Sequence, residues 1–332
     1  MRSILKNVII LTTFAFFIFL LISSLFIRAD FGYTIYGDEP ALVEQDFFML
    51  VVFIIAGIIA SVILFAIGKR LEKYNARVVI PCVLLVAFIM QLLIISSFRT
   101  NLTCDWEVTY GIAKSFNIGD YQSLDKGGYL YTYPHNLGVV LLTSVFTQFF
   151  TGNLFVPRVF NALIVLAIIL ISYFLLREIT RDKAKHYGFL LLLASYLPPL
   201  FFSMIVYNDV ISCFLLVLYI YAVVKIFKAQ NIKIIWILLM FFALAMGNFL
   251  RNLGLLLVFA VLIYALINKV NFNKILVIFS ISMLALLLPL VIFNQVFLNR
   301  ETDYDKEASE KIYIAGIKSK LQEMGFRGAA EM

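Results

Sequence analysis

The chain has 332 residues, of which 63% are apolar and only 14% charged, with a formal net charge of +7. Apolar runs of about 18 to 22 residues recur along it, the length that crosses a bilayer as a helix. This composition excludes a water-soluble globule, and the cations sit at the ends of apolar runs, where they read as membrane anchors and not as a nucleic-acid surface.

The first apolar run, 7–27, lies behind Arg2 and Lys6 and lacks a small-residue exit before Arg28, so it reads as an uncleaved span. Further spans are expected at 47–68, 78–98, 155–176, 187–206, 210–227, 233–250, 252–267 and 275–297, nine in all. With the N-terminus inside, the cytoplasmic loops carry 15 basic residues and three acids, leaving 12 basic and 17 acidic residues elsewhere. That asymmetry is what the positive-inside rule demands, so a multi-pass protein of the cell membrane with a cytoplasmic N-terminus is expected. Cys82, Cys104 and Cys213 are odd in number and scattered, which points to neither a disulfide framework nor a cysteine-rich metal site.

Between the third and fourth spans lies the longest polar, aromatic-rich interval, 103–138. It is followed by the apolar stretch 137–150, about 21 Å long as a helix and so too short to cross. Crossing would also move Arg177, Arg181, Lys183 and Lys185 outside, so 137–150 is expected as an interfacial helix on the outer face. The outer face then also holds the acidic loop 28–46, the Tyr207-Asn208-Asp209 turn, and a polar tail, 299–332, with a short helix expected at 317–324. Asn101-Leu102-Thr103 is a formal glycosylation acceptor and reads as chance.

Candidate chemistry concentrates in that interval. Asp105 and Glu107 follow the third span directly, where a carboxylate takes a proton from a hydroxyl or holds a divalent cation with a second acid. The plainer alternative is that both acids decorate the first turn of a surface helix. Tyr121, Tyr129, Tyr131 and Tyr133 offer flat faces and hydroxyls suited to sugar rings, though tyrosine is also the ordinary resident of the membrane interface. Pro134 and His135 close the loop, and with only His135 and His186 in the chain a histidine metal centre is not indicated. Arg251, at the outer end of the seventh span, is either a functional cation or one that snorkels to the interface.

Asp105, then Ser115 to Asp120 (SFNIGD), then Tyr131 to Pro134 (YTYP), then Tyr207 to Asp209 (YND) together resemble the GT-C superfamily of membrane glycosyltransferases, in its protein O-mannosyltransferase and aminoarabinose-transferase branch. The resemblance covers about 78–297. It implies an all-α polytopic fold with a seven-span module, 78–297, whose outer loop, 99–154, holds two juxtamembrane helices at 105–116 and 137–150. Two spans within 1–77 precede the module, and 298–332 is an outer polar tail at which the chain is expected to be truncated. The implied activity is inverting transfer of a sugar from a polyprenyl-phosphate carrier to an acceptor on the outer face.

In that resemblance Asp105 matches the catalytic base and Asp209 the second outer acid. Arg251, Glu107, Tyr131, Tyr133 and His135 join Asp209 as candidates for donor-phosphate or substrate binding. A divalent cation is the one candidate cofactor, with Asp105 and Glu107 as its ligands. The expected partners are the lipid-linked sugar, an acceptor the sequence does not name, and the bilayer, with no nucleic acid. One departure matters. Aminoarabinose-type members place an acid and a lysine before the loop proline, where this chain has Thr132 and Tyr133. A transporter or lipid flippase, and a non-catalytic subunit of envelope assembly, are the alternatives from other classes.

Overall fold

The computed structural model describes residues 2–30, 41–98, 104–150 and 152–297. The polar tail and its expected helix lie outside the described residues, as do the middle of the 28–46 loop and the Asn101-Leu102-Thr103 sequon. The protein is an all-α polytopic membrane protein with thirteen helices among the described residues. In chain order these are α1 (Arg2–Phe26), α2 (Phe47–Leu71), α3 (Ala76–Ser97), α4 (Cys104–Asn117), α5 (Tyr129–Thr132), α6 (Leu137–Phe149), α7 (Phe155–Ile179), α8 (Lys183–Ser195), α9 (Leu197–Phe202), α10 (Asp209–Lys228), α11 (Ile234–Leu250), α12 (Gly254–Ile267) and α13 (Phe272–Phe297).

Six of these helices, α1, α2, α3, α7, α10 and α13, are each long and apolar enough to cross a membrane. The other three expected spans correspond to shorter pieces. The span at 187–206 divides into α8 and α9, because Pro198 and Pro199 withhold backbone donors and favour a helix start just after Tyr196. α11 and α12, of 17 and 14 residues, are joined by a tight turn at Arg251–Leu253. A feature not expected from sequence joins α1 to α2: Ile27–Asp30 (β1) pairs antiparallel with Ala41–Glu44 (β2).

Two apolar cores organise the spans. One gathers Val79, Ile94, Ala162, Ile169, Leu190 and Leu200 from α3, α7, α8 and α9. The other gathers Tyr219, Ile226, Met240, Leu244, Val258 and Ile278 from α10 to α13. The remaining large apolar surfaces, such as Phe14, Phe53 and Leu256, face outward, as they must where the solvent is lipid.

The two ends of the bundle differ in chemistry. At one end Lys225 pairs with Glu178 at 2.5 Å and Lys274 donates to the carbonyls of Phe227 and Ala229, closing the C-termini of α7 and α10. Lys69, Arg70, Lys73 and Arg77, at the end of α2, in the turn after it and at the start of α3, lie at this same end, where Phe65 of α2 meets Gly188 of α8. The opposite end carries α4, α5 and α6.

α4 stops through a Schellman motif: Asp120 N–H bonds to Ser115 O and Gly119 N–H to Phe116 O, with Gly119 at φ +81°. The Gly-Asp pair is thus a helix terminator, and only glycine reaches that φ without strain. Asn117 then donates to Ser144 O and Thr147 Oγ1 of α6, so α4 and α6 form one bracket. α6 is too short to cross, as expected, but it is less superficial than an interfacial helix: Leu137, Gly138, Val139 and Val140 are buried. Gly138 permits this, because a Cβ there would collide with the carbonyl oxygen of Phe249 at the end of α11. Gly138→Ala is expected to cost about 1–3 kcal/mol through that overlap. Thermal unfolding in detergent measures it against Gly57→Ala, where nothing lies within 4 Å of the added carbon.

Candidate active site

The bracket positions Asp105. It stands in the first turn of α4, where the helix dipole favours a carboxylate. Ala113, Leu124, Leu130, Leu137 and Val140 form a small core beneath the loop, with Phe249 packed against it. That core fixes the one-turn helix α5, whose Leu130 is fully buried, and so fixes Tyr129 beside it.

A chain of hydrogen bonds runs from there. Tyr129 O–H donates to Asp105 Oδ1 at 2.9 Å, Asn136 Nδ2–H donates to Tyr129 Oη at 2.8 Å, and Tyr207 O–H donates to Asn136 Oδ1 at 2.9 Å. Burial and the Asp105 carboxylate push both phenols up, Tyr207 to about 12 and Tyr129 further. Both therefore stay protonated near neutral pH, so each keeps an O–H to donate.

The turn between α9 and α10 brings the second half of the site. Arg158 Nε donates to Met204 O at 3.2 Å and Asn161 Nδ2 to Ile205 O at 2.7 Å, so α7 holds the chain just before Tyr207. Asn208, 1% exposed, donates to Leu250 O at 2.6 Å, tying the start of α10 to the end of α11. There Arg251 meets Asp209 Oδ1 at 2.6 Å, with Asn208 Oδ1 at 3.4 Å. The pair is 45% and 40% exposed, so it orients the guanidinium more than it stabilises the fold, contributing about 1 kcal/mol or less.

Asp105, His135, Asn136, Tyr207, Asp209 and Arg251 all line one cavity of about 620 Å³ at this end of the bundle, together with Trp106, Ile205, Asn208 and the turn Asn252–Leu253. That volume falls within the roughly 300–1,000 Å³ of small-molecule sites. Its charged lining is the Asp105 carboxylate together with the Arg251–Asp209 pair.

Of the expected site residues, the structure thus brings together Asp105, Asp209, Arg251 and His135. Tyr133 does not line the cavity but packs against both Tyr129 and His135, with ring centroids 5.1 and 6.2 Å apart. Tyr131 and Glu107 lie outside the lining. Because α4 already begins at Cys104, Asp105 and Glu107 point about 200° apart around the helix and do not converge on one cation. Asp209 is engaged by Arg251, so the residues present do not compose a divalent-cation site around Asp105. Among the described residues no group of three His, Cys, Asp or Glu side chains gathers.

Sequence reasoning missed Asn136, which is 1% exposed and central to the bond network. Its signal was a lone amide directly before an apolar helix, which reads as a cap, yet its side chain makes no capping bond to α6. Asn208 and Trp106 were also missed as lining residues.

Residues 134–295 match the family model described as dolichyl-phosphate-mannose-protein mannosyltransferase, a little under half of the chain. The matched segment contains His135, Asn136, Tyr207, Asn208, Asp209 and Arg251, and begins after Asp105 and Tyr129. No curated protein and no solved structure matches the chain.

Proposed function

We propose that the protein is an inverting glycosyltransferase that moves a sugar from a polyprenyl-phosphate carrier to an acceptor hydroxyl at the outer face of the membrane. The observation that carries this reading is that Asp105, from α4, and Arg251, from the α11–α12 turn, line one cavity at the end of a membrane bundle. The family match supports it, since that family's description names a lipid-phosphate-linked mannose as donor.

The chemistry follows from the two charges. Asp105 accepts the proton of the acceptor hydroxyl as its oxygen bonds to the sugar's C1. The bond from C1 to the phosphate oxygen breaks on the opposite side, and its electron pair leaves with the polyprenyl phosphate. Arg251 meets the charge that grows on that phosphate. Asp209 and Asn208 hold the guanidinium in the cavity until it does. His135, which lines the cavity with Tyr133 edge-on against it, offers a flat ring suited to the face of a sugar.

Membranes containing the protein, incubated with a panel of radiolabelled polyprenyl-phosphate sugars, are expected to move label from at least one donor into an acceptor fraction. Failure with every donor, in membranes where the protein is correctly inserted, overturns the reading. Orientation has its own test. In a background with Cys82, Cys104 and Cys213 replaced by serine, a cysteine at Asp125 should react with an impermeant maleimide from outside and one at Lys183 should not. The reverse pattern would put the cavity in the cytoplasm.

A further inference from the structure

A general base must present a chosen oxygen to its substrate, and a carboxylate on an exposed first helical turn has rotational freedom that works against this. Asp105 is exposed, at the edge of the cavity. Its Oδ1 is taken by Tyr129, and among the described residues its Oδ2 has no hydrogen-bond partner. Tyr129 itself does not line the cavity.

The bonds behind Tyr129 all run one way. Tyr207 donates to Asn136, Asn136 donates to Tyr129, and Tyr129 donates to Asp105, so each acceptor is fixed by the donor behind it. The amide orientation of Asn136 follows from Asp105: the carboxylate only accepts, so the Tyr129 O–H is spent on it, and Tyr129 Oη is left to accept from Asn136 Nδ2, which turns Asn136 Oδ1 to Tyr207. The chain spans four segments, α4, α5, the α5–α6 loop and the α9–α10 turn, and its Tyr207–Asn136 bond joins residues 71 positions apart in sequence. Asn136 is 1% exposed and both ends of its amide are bonded, so it is not free to turn toward solvent.

We propose that Tyr129 is a positioning residue for Asp105, fixing Oδ1 so that Oδ2 receives the acceptor's proton, with Asn136 and Tyr207 holding Tyr129 in turn. This rests on the transferase reading of the cavity.

Tyr129→Phe deletes the bond to Asp105 without altering a cavity-lining side chain. It is expected to lower kcat about tenfold or more. The KM for the lipid-linked donor should stay within about twofold, because no contact that binds ground state and transition state alike is lost. In the Asp105→Asn background the same change is expected to cost nothing further, since no base remains to be aimed. A structural defect would depress residual turnover in both backgrounds. Wild-type kcat in Tyr129→Phe, or an equal loss in both backgrounds, overturns the proposal.

If Tyr129→Phe fails to fold in detergent, Tyr207→Phe tests the same chain from its far end, with an expected fall in kcat of about threefold. An unchanged kcat there overturns the proposal. Full transfer by Asp105→Asn alone would instead remove Asp105 as the base, and the positioning role with it, whereas no transfer by the wild type from any donor would sink the transferase reading.

Discussion

Asp105→Asn is expected to reduce sugar transfer by about 10²–10⁴-fold while leaving membrane insertion and detergent stability unchanged. The substitution is nearly isosteric, and the amide oxygen still accepts the hydrogen bond from Tyr129. What it lacks is a site for the acceptor's proton. Donor KM should change little, since on this reading the carboxylate faces the acceptor and Arg251 the donor phosphate. Transfer rates measured against donor concentration separate these outcomes. A variant with unaltered kcat would remove Asp105 from the reaction.

Replacing Arg251 by alanine is the second large effect, expected at about 10²–10³-fold in kcat because the cation acts most strongly on charge that develops in the transition state. Arg251→Lys should recover only part of this, since an ammonium restores charge without the planar fork that grips two phosphate oxygens. The loss will not be explained by unfolding. The ion pair with Asp209 is close to half exposed on both sides and contributes about 1 kcal/mol or less to stability. Melting temperatures of the wild type, Arg251→Ala and Arg251→Lys should therefore agree closely while their rates diverge. Wild-type kinetics in Arg251→Ala would leave the phosphate without its cation and overturn that assignment.

Much of the architecture was legible because lipid imposes simple rules. A helix that crosses must be long and apolar, and its cytoplasmic flanks basic, so the spans from Phe47 to Leu71 and from Phe155 to Ile179 stand out from hydropathy alone. The two non-crossing helices were equally readable, one from its polar residues and one from its length. The hairpin between α1 and α2 was not, because four-residue strands leave almost no periodic trace. Pro198 and Pro199 were visible as an interruption, but where α8 stops and α9 restarts depends on packing around Leu200.

The site was half legible for a related reason. Single charged residues at membrane ends, Asp105, Asp209 and Arg251, are conspicuous against an apolar background. Their neutral partners are not. Asn136 and Asn208 acquire meaning only when segments 71 and 42 residues apart are brought together. The divergence of Asp105 and Glu107 was not legible either, since two residues on one helical turn diverge where two residues in a loop need not.

The turn carrying Arg251 has a further consequence. Its two supporting helices, α11 and α12, are about 26 and 21 Å long against a hydrocarbon thickness of about 30 Å. Such hydrophobic mismatch draws the turn inward or thins the surrounding leaflet. On the reading in which both helices cross, either response sets the guanidinium near the plane of the lipid phosphates. A carrier whose own phosphate rides at that plane reaches it by lateral diffusion, with its hydrocarbon tail still dissolved in the bilayer.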